Sequence, residues 1–120
     1  MDLGPEIVVI TIGNKGCVGI DKNGYFEQET FNSVKVVDTV GAGDVFHGAF
    51  LFGLLQGWCA AKTARFANAV SSIKCSRIGG RAGIPDFKTV NEFLETGKID
   101  YSEIDERIKY YSRGVEHVFE

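Results

Sequence analysis

The sequence is short of the residues that hold small secreted or metal-stapled folds together. Its three cysteines, Cys17, Cys59 and Cys75, cannot all pair, and none lies in a C-x-x-C. That argues against a disulfide framework and for reduced thiols acting as small apolar side chains. There are only two histidines, His47 and His117, and no cluster of Cys, His and carboxylates has structural-zinc spacing. Positive charge is also scarce: 13 Lys and Arg against 16 Asp and Glu leave −3, which gives no basis for a nucleic-acid surface. Asp2 and Glu6 stand where a secretory signal would be basic. The uncharged stretch 45–61, 17 residues long, contains His47, Gln56, Gly48, Gly53 and Gly57. It is too short to span a membrane and reads as a buried helix. Internal repeats and low-complexity runs are absent as well. Together these absences predict a reduced, cytoplasmic protein with neither a membrane nor a nucleic-acid partner.

What remains is an ordinary globular composition, 44% hydrophobic and 24% charged over 120 residues, enough for one core and one domain. Residues 7–12 (Ile-Val-Val-Ile-Thr-Ile) form a β-branched run without alternation, which predicts a strand buried on both faces, as in a parallel sheet. A Gly-Asn-Lys-Gly turn at 13–16 leads into a second short strand, 17–20. Asn23-Gly24 favours a tight hairpin returning over 25–31, and 34–37 reads as another short strand. Residues 45–55, with Phe46, Ala49, Phe50, Leu51, Phe52 and Leu54, are apolar nearly all round and predict a central helix. Residues 60–74 are Ala-rich, with Ala60, Ala64, Ala67 and Val70 or Ser71 on one face, suited to close packing. Three glycines and a proline make 78–85 a loop, and a short helix follows over 87–95. From Gly97 the chain becomes charged and aromatic. Ser102 is expected to cap a helix bearing Ile104, Ile108, Tyr111 and Val115, with Glu103 and Arg107 spaced i,i+4. The predicted organisation is one segment, 1–97, with 98–120 as a helical tail packed on it.

Chemistry concentrates in residues 38–46, Asp-Thr-Val-Gly-Ala-Gly-Asp-Val-Phe. A glycine-rich turn opening a helix aims unpaired amides at one spot, with the positive end of the helix dipole behind them. That is a ready anion site. Asp44 stands at the same place, and a carboxylate beside a phosphate is unfavourable for binding alone. It fits a base that takes the proton of a hydroxyl attacking phosphorus while the amides stabilise the transferring group. Gly43 is expected to sit at unusual backbone angles and to leave room for close phosphate approach. A dinucleotide fingerprint fits less well, because Phe46 occupies the third glycine position, and no Walker-type G-x-x-x-x-G-K-[S/T] exists. His47, one turn beyond Asp44, reads as a packed or capping histidine, Ser71-Ser72 as helix packing, and the helical phenylalanines as core. Arg81 suits either a phosphate contact or a solvated position.

Asp38-Thr39-x-Gly41-Ala42-Gly43-Asp44-x-Phe46 resembles the C-terminal signature of the ribokinase-like (PfkB) carbohydrate kinases. Over about 7–85 the context is similar too. Thr11-x-Gly13-x-Lys15-Gly16 resembles the family's nucleotide-contacting turn, Ala67-Asn68-Ala69 its adenine-side Asn, and Gly79 to Pro85 its glycine-rich loop before a proline. The resemblance implies an α/β chain, the C-terminal part of a three-layer α/β/α fold with an antiparallel hairpin at the sheet edge. It implies Asp44 as catalytic base, Gly41, Ala42 and Gly43 as anion-hole residues, and Thr11, Gly13, Gly16 and Asn68 lining the ATP site. Asp38 and the Val40 carbonyl, with carbonyls of the 79–83 loop, match positions that hold a monovalent cation such as K+ in some members.

The implied activity is ATP- and Mg2+-dependent phosphorylation of a sugar hydroxyl. Family members run to roughly two or three times this length, and the glycine-rich sugar-binding signature has no counterpart here. Nor does the N-x-x-E motif: no Asn is followed three residues later by Glu. The expectation is therefore a nucleotide-side half, inactive alone. The competing class is a non-catalytic nucleotide- or anion-binding fragment. An unprotected apolar edge at 7–12 predicts homo-oligomers or docking with the N-terminal half of the fold.

Overall fold

The computed structural model describes residues 6–79 and 83–119, with side chains apart from that of residue 14 and those of 111–119. Three strands form first: β1 (Val8–Thr11), β2 (Cys17–Asp21) and β3 (Gly24–Gln28). A single 3-10 turn, Gly13–Lys15, joins β1 to β2. Four helices follow: α1 (Ala42–Leu55), α2 (Ala60–Cys75), α3 (Phe87–Thr96) and α4 (Ser102–Phe119). The sheet order is β1-β2-β3, antiparallel throughout, with Val9 opposite Gly19 and Cys17 opposite Gln28. The Asn-Gly hairpin forms as its residues predict. Gly24 takes φ +116°, and the Asn23 amide donates to Asp21 Oδ1 at 2.8 Å.

The core is built around α2. Ala64, Ala67, Ala69, Ile73 and Thr63 are fully buried, and the helix packs on α1, α3, β2 and β3. Small side chains let those neighbours approach closely, so little of α2 remains at the surface. Residues 45–55, expected to be the central helix, take a different place. In α1 only Phe46, Ala49 and Gly53 are buried, while Leu51 is 61% and Leu55 85% exposed. The Ala-rich helix is the central one because it alone has partners on several sides.

Two strand expectations also change. Residues 7–12 are not buried on both faces: Ile10 is 60% exposed, and Val8 and Ile12 are exposed as well. The reason is geometric, since α2 covers β2 and β3 and leaves β1 at the open side of the sheet. Residues 34–37 form no strand. Instead the amides of Val37 and Asp38 both donate to the Cys75 carbonyl, at 2.7 and 3.0 Å, docking this segment on the C-terminus of α2. Those bonds satisfy an orphan carbonyl of the helix end.

At the C-terminal end, Asp86 caps α3 by accepting from the Thr89 amide at 2.8 Å, and left-handed Gly97 ends that helix. Ser102 does not cap α4 but is its first residue. Asp100 Oδ1 accepts the Ser102 amide at 3.0 Å, which places the capping carboxylate two residues earlier. The start of α4 is tied to the end of α2. Arg77 pairs with Asp105 at 2.8 Å and lies 3.6 Å over the Tyr101 ring, whose hydroxyl donates to Ser76 Oγ at 2.8 Å. Arg107 Nη1 donates to the Ile84 carbonyl at 2.8 Å. Ile104 is buried and Ile108 partly buried, whereas Tyr111, Val115 and His117 fall outside the described side chains.

Candidate active site

The glycine-rich turn is set by Gly41, the N-cap of α1, at φ +76°. A side chain there would be strained, so the glycine is what lets the chain reverse into the helix. The Ala42 amide closes the turn on the Thr39 carbonyl at 3.1 Å, and the Val45 amide reaches Gly41 at 3.0 Å. Between them the amides of Gly43 and Asp44 have no partner among the described residues. These are two of the unpartnered donors the sequence predicts at this helix start, with the helix dipole behind them. Gly43 does not sit at unusual angles, since its φ is not positive. A Cβ built on it meets nothing within 4 Å, so the glycine leaves an open approach but is not required by the backbone.

Asp44 lies in the first turn of α1 with an exposed side chain. Beside it opens a cleft of about 670 Å³, lined by Gly41, Gly48, Val70, Pro85 and the rings of Phe52, Phe66 and Phe87. These rings and Trp58 pack on one another at centroid distances of 5.2–6.3 Å. Among the described residues, Asp44 is the only ionisable one on that lining. His47 is exposed, and its Nδ1 donates to the Gly43 carbonyl at 2.7 Å, closing on its own helix. Ser71 Oγ donates to the Ala42 carbonyl at 3.4 Å and links α2 to the turn.

Behind the turn, Asp38 acts as a brace. Its Oδ1 accepts the Val40 amide and its Oδ2 the Gly79 amide, both at 2.9 Å. These two amides, Gly79's first, hold the Asp38 carboxyl below the usual carboxylate range, and the charge of Lys74 adds to the effect. Lys74 is fully buried, and its Nζ donates to the Asp38 carbonyl at 3.1 Å. Sequence reading passed over this lysine, yet a signal existed. It continues the face marked by Ala60, Ala64, Ala67 and Ser71, so its position alone points inward. Gly83 belongs to the same knot, because a Cβ there would stand 2.7 Å from the Lys74 carbonyl. Residues 80–82, including Arg81, lie outside the described residues.

The predicted nucleotide turn lies on another part of the fold. Thr11 ends β1, and the chain then reverses through Gly13 (φ +55°) and Gly16 (φ +96°), with the Ile12 amide donating to the Gly16 carbonyl at 2.7 Å. Gly16 is demanded by space as well as by angle, because a Cβ would stand 1.9 Å from the Gln28 carbonyl oxygen. Asn68 is buried at 5% exposure, and its Nδ2 donates to the Gln28 and Glu29 carbonyls at 3.2 and 3.4 Å. Asn68 thus sits under the same strand end that Gly16 contacts. Cys17 and Cys75 are buried, as expected of small apolar residues, whereas Cys59 is exposed. Burial pushes the Cys17 thiol pKa up.

Known proteins share the sequence and the fold of this chain. The model of the pfkB family of carbohydrate kinases matches residues 2–86. An ATP-dependent 6-phosphofructokinase of Thermoanaerobacterium thermosaccharolyticum is 36% identical over 101 residues, covering 82% of this chain and 30% of that protein. An E. coli chain assigned as ribokinase II, solved with ATP and Mg2+, superposes with a TM-score of 0.71 at 29% identity, over 77% of this chain and 30% of its own. Arabidopsis thaliana ribokinase, solved with ribose and ATP, gives 0.69 at 31% identity, over 75% and 29%. The chain spans about a third of the length of these relatives. Among the described residues no helix is long and apolar enough to cross a membrane. Both the matched sequence and the ribokinase-like α/β fold place this chain in the pfkB family of carbohydrate kinases.

Proposed function

We propose that the chain is the nucleotide-side part of an ATP-dependent kinase that phosphorylates a sugar hydroxyl, with Asp44 as its general base. The observation that carries this reading is the exposed Asp44 carboxylate beside the unpartnered Gly43 and Asp44 amides at the start of α1. The carboxylate accepts the proton of the attacking hydroxyl. The bond from that oxygen to the γ-phosphorus forms, the bond from the β–γ bridging oxygen breaks, and ADP leaves. Gly41 shapes the hole, the Ala42 amide locks it, and Gly43 keeps the approach open. Thr11, Gly13 and Gly16 offer the nucleotide a tight backbone turn. Asn68 acts from beneath it, positioning the end of β3.

Magnesium, when bound, neutralises charge on the transferring phosphates. No group of three His, Cys, Asp or Glu among the described residues could hold it, so no step is assigned to this chain through that ion. The segment 98–120 serves as a helical brace on the 1–97 segment. The exposed apolar residues of β1 and α1 are where a second copy or the remainder of the kinase fold would dock. A specific observation favours the second reading, nucleotide binding without turnover: the chain covers only about 30% of its relatives.

The test is calorimetric ATP titration of the chain, together with sugar-dependent ADP release by the chain and by a full-length protein containing it. Saturable ATP binding by the chain, with turnover only in the longer protein, is the expected result. Absence of ATP binding by both would refute the reading.

A further inference from the structure

The family resemblance would place a monovalent cation at Asp38 and Val40, and the described residues there do not fit one. Both Asp38 carboxylate oxygens are already engaged by amide donors, from Val40 and Gly79, at 2.9 Å. The Asp38 carbonyl, the other oxygen that residue could offer, already accepts the Lys74 ammonium at 3.1 Å. Lysine is almost never fully buried unless something compensates its charge, yet Lys74 has no exposed surface. Its compensation is local. It stands in the last turn of α2, where the helix dipole favours a cation, and it faces the segment carrying the Asp38 carboxylate. A second cation beside a fixed ammonium would meet like-charge repulsion.

We propose that Lys74 is the built-in cation of the phosphate turn, a positioning residue that holds the 38–41 segment in place of a potassium ion. The inference rests on the reading of the Gly41–Asp44 turn as the phosphate site. The ammonium sits behind that turn and fixes the backbone leading into it, through the Asp38 carbonyl, without touching the nucleotide. Its charge also adds to the favourable field at the anion site. A chain so equipped has no need of potassium at this position.

The experiment compares thermal midpoints and ATP titrations of the whole 120-residue chain in potassium, sodium and tetramethylammonium chloride. Equal ionic strength screens all charges alike, so dissociation constants should agree within about twofold. The midpoints should not single out potassium. A potassium-selective rise in either quantity overturns the proposal. Lys74→Met removes the charge at nearly constant shape; ATP affinity should fall roughly tenfold, with part of the loss restored by potassium alone. A folded Lys74→Met chain that binds ATP like the parent in every salt also overturns it. Should that variant fail to fold, the salt series on the parent still decides. Should ATP bind in no salt, the nucleotide reading fails, while the midpoints still report whether potassium has a site.

Discussion

The two long helices that pack together, α1 and α2, reverse what their compositions suggest. Helix α1 is the more apolar, yet Leu51 and Leu55 face outward, and only Phe46, Ala49 and Gly53 are buried. Helix α2 carries Lys62, Arg65, Asn68 and Lys74, yet it is buried along most of its length. Burial here is decided by neighbours, not by hydrophobicity alone. Small residues on α2 admit α1, α3 and the sheet at once, whereas α1 packs mainly on α2 and touches the start of α3 through Phe52 and Phe87. The division is also functional. Helix α2 is scaffold, and α1 presents at its free N-terminus the turn on which chemistry is proposed.

That contrast can be broken first at the tip of α1. Asp44→Asn keeps the shape of the turn and removes one negative charge from the anion site. ATP affinity should hold or rise slightly, and sugar-dependent ADP release by a full-length protein with this segment should fall roughly 10²–10⁴-fold. Near-normal turnover would reduce the turn to an anion site alone.

A second comparison runs along α1 itself. A Cβ at Gly53 would lie 2.6 Å from Thr63 Cγ2, so Gly53→Ala should cost about 1–3 kcal/mol in chemical denaturation. Gly43 faces open space, and Gly43→Ala should instead gain roughly 0.5–1 kcal/mol of helix stability. The same residue enlarged to Val should weaken ATP binding, because its side chain occupies the approach to the free amides. Equal stability losses at 43 and 53 would contradict the orientation of α1.

Between the helices, Ala67→Leu overfills a site with no exposed surface and should destabilise by about 1–3 kcal/mol. Leu55→Glu, at a side chain 85% exposed, should change stability by less than about 0.5 kcal/mol. It should, however, reduce self-association in sedimentation runs, and unchanged association would show that this end of α1 is not a contact surface.

The smallest effect concerns pH. Asp38 is held below its ordinary pKa in the folded chain, so its contribution is fully present above the unfolded value of 3.8 and disappears as pH falls through the lower folded one. Asp38→Asn should therefore flatten the acid end of the midpoint-against-pH curve and leave its shape near neutrality alone. An unchanged acid limb would remove Asp38 from the brace.

Much of this was legible from short-range chemistry. The Asn-Gly hairpin, the β2 and β3 strands, the existence of all four helices and the Gly41–Asp44 turn follow from φ preference, periodicity and capping, which act over a few residues. The family followed from the Asp38–Phe46 signature. Residues 34–37 were misread because β-branched runs look alike whether they pair with a strand or dock on a helix end. What sequence could not reveal of Asn68 is its setting, a buried amide that donates to the Gln28 and Glu29 carbonyls 40 and 39 residues away.

Local steric and dipolar preferences in the sequence were enough to set where the chain turns, where it coils and which helix start carries unpartnered amides. Which helix is central, that β1 stands uncovered and that Lys74 meets the Asp38 carbonyl were settled by packing instead. Those outcomes depend on which surfaces find partners across 30 to 40 residues of chain, and residues that far apart reveal their juxtaposition only once the chain has packed.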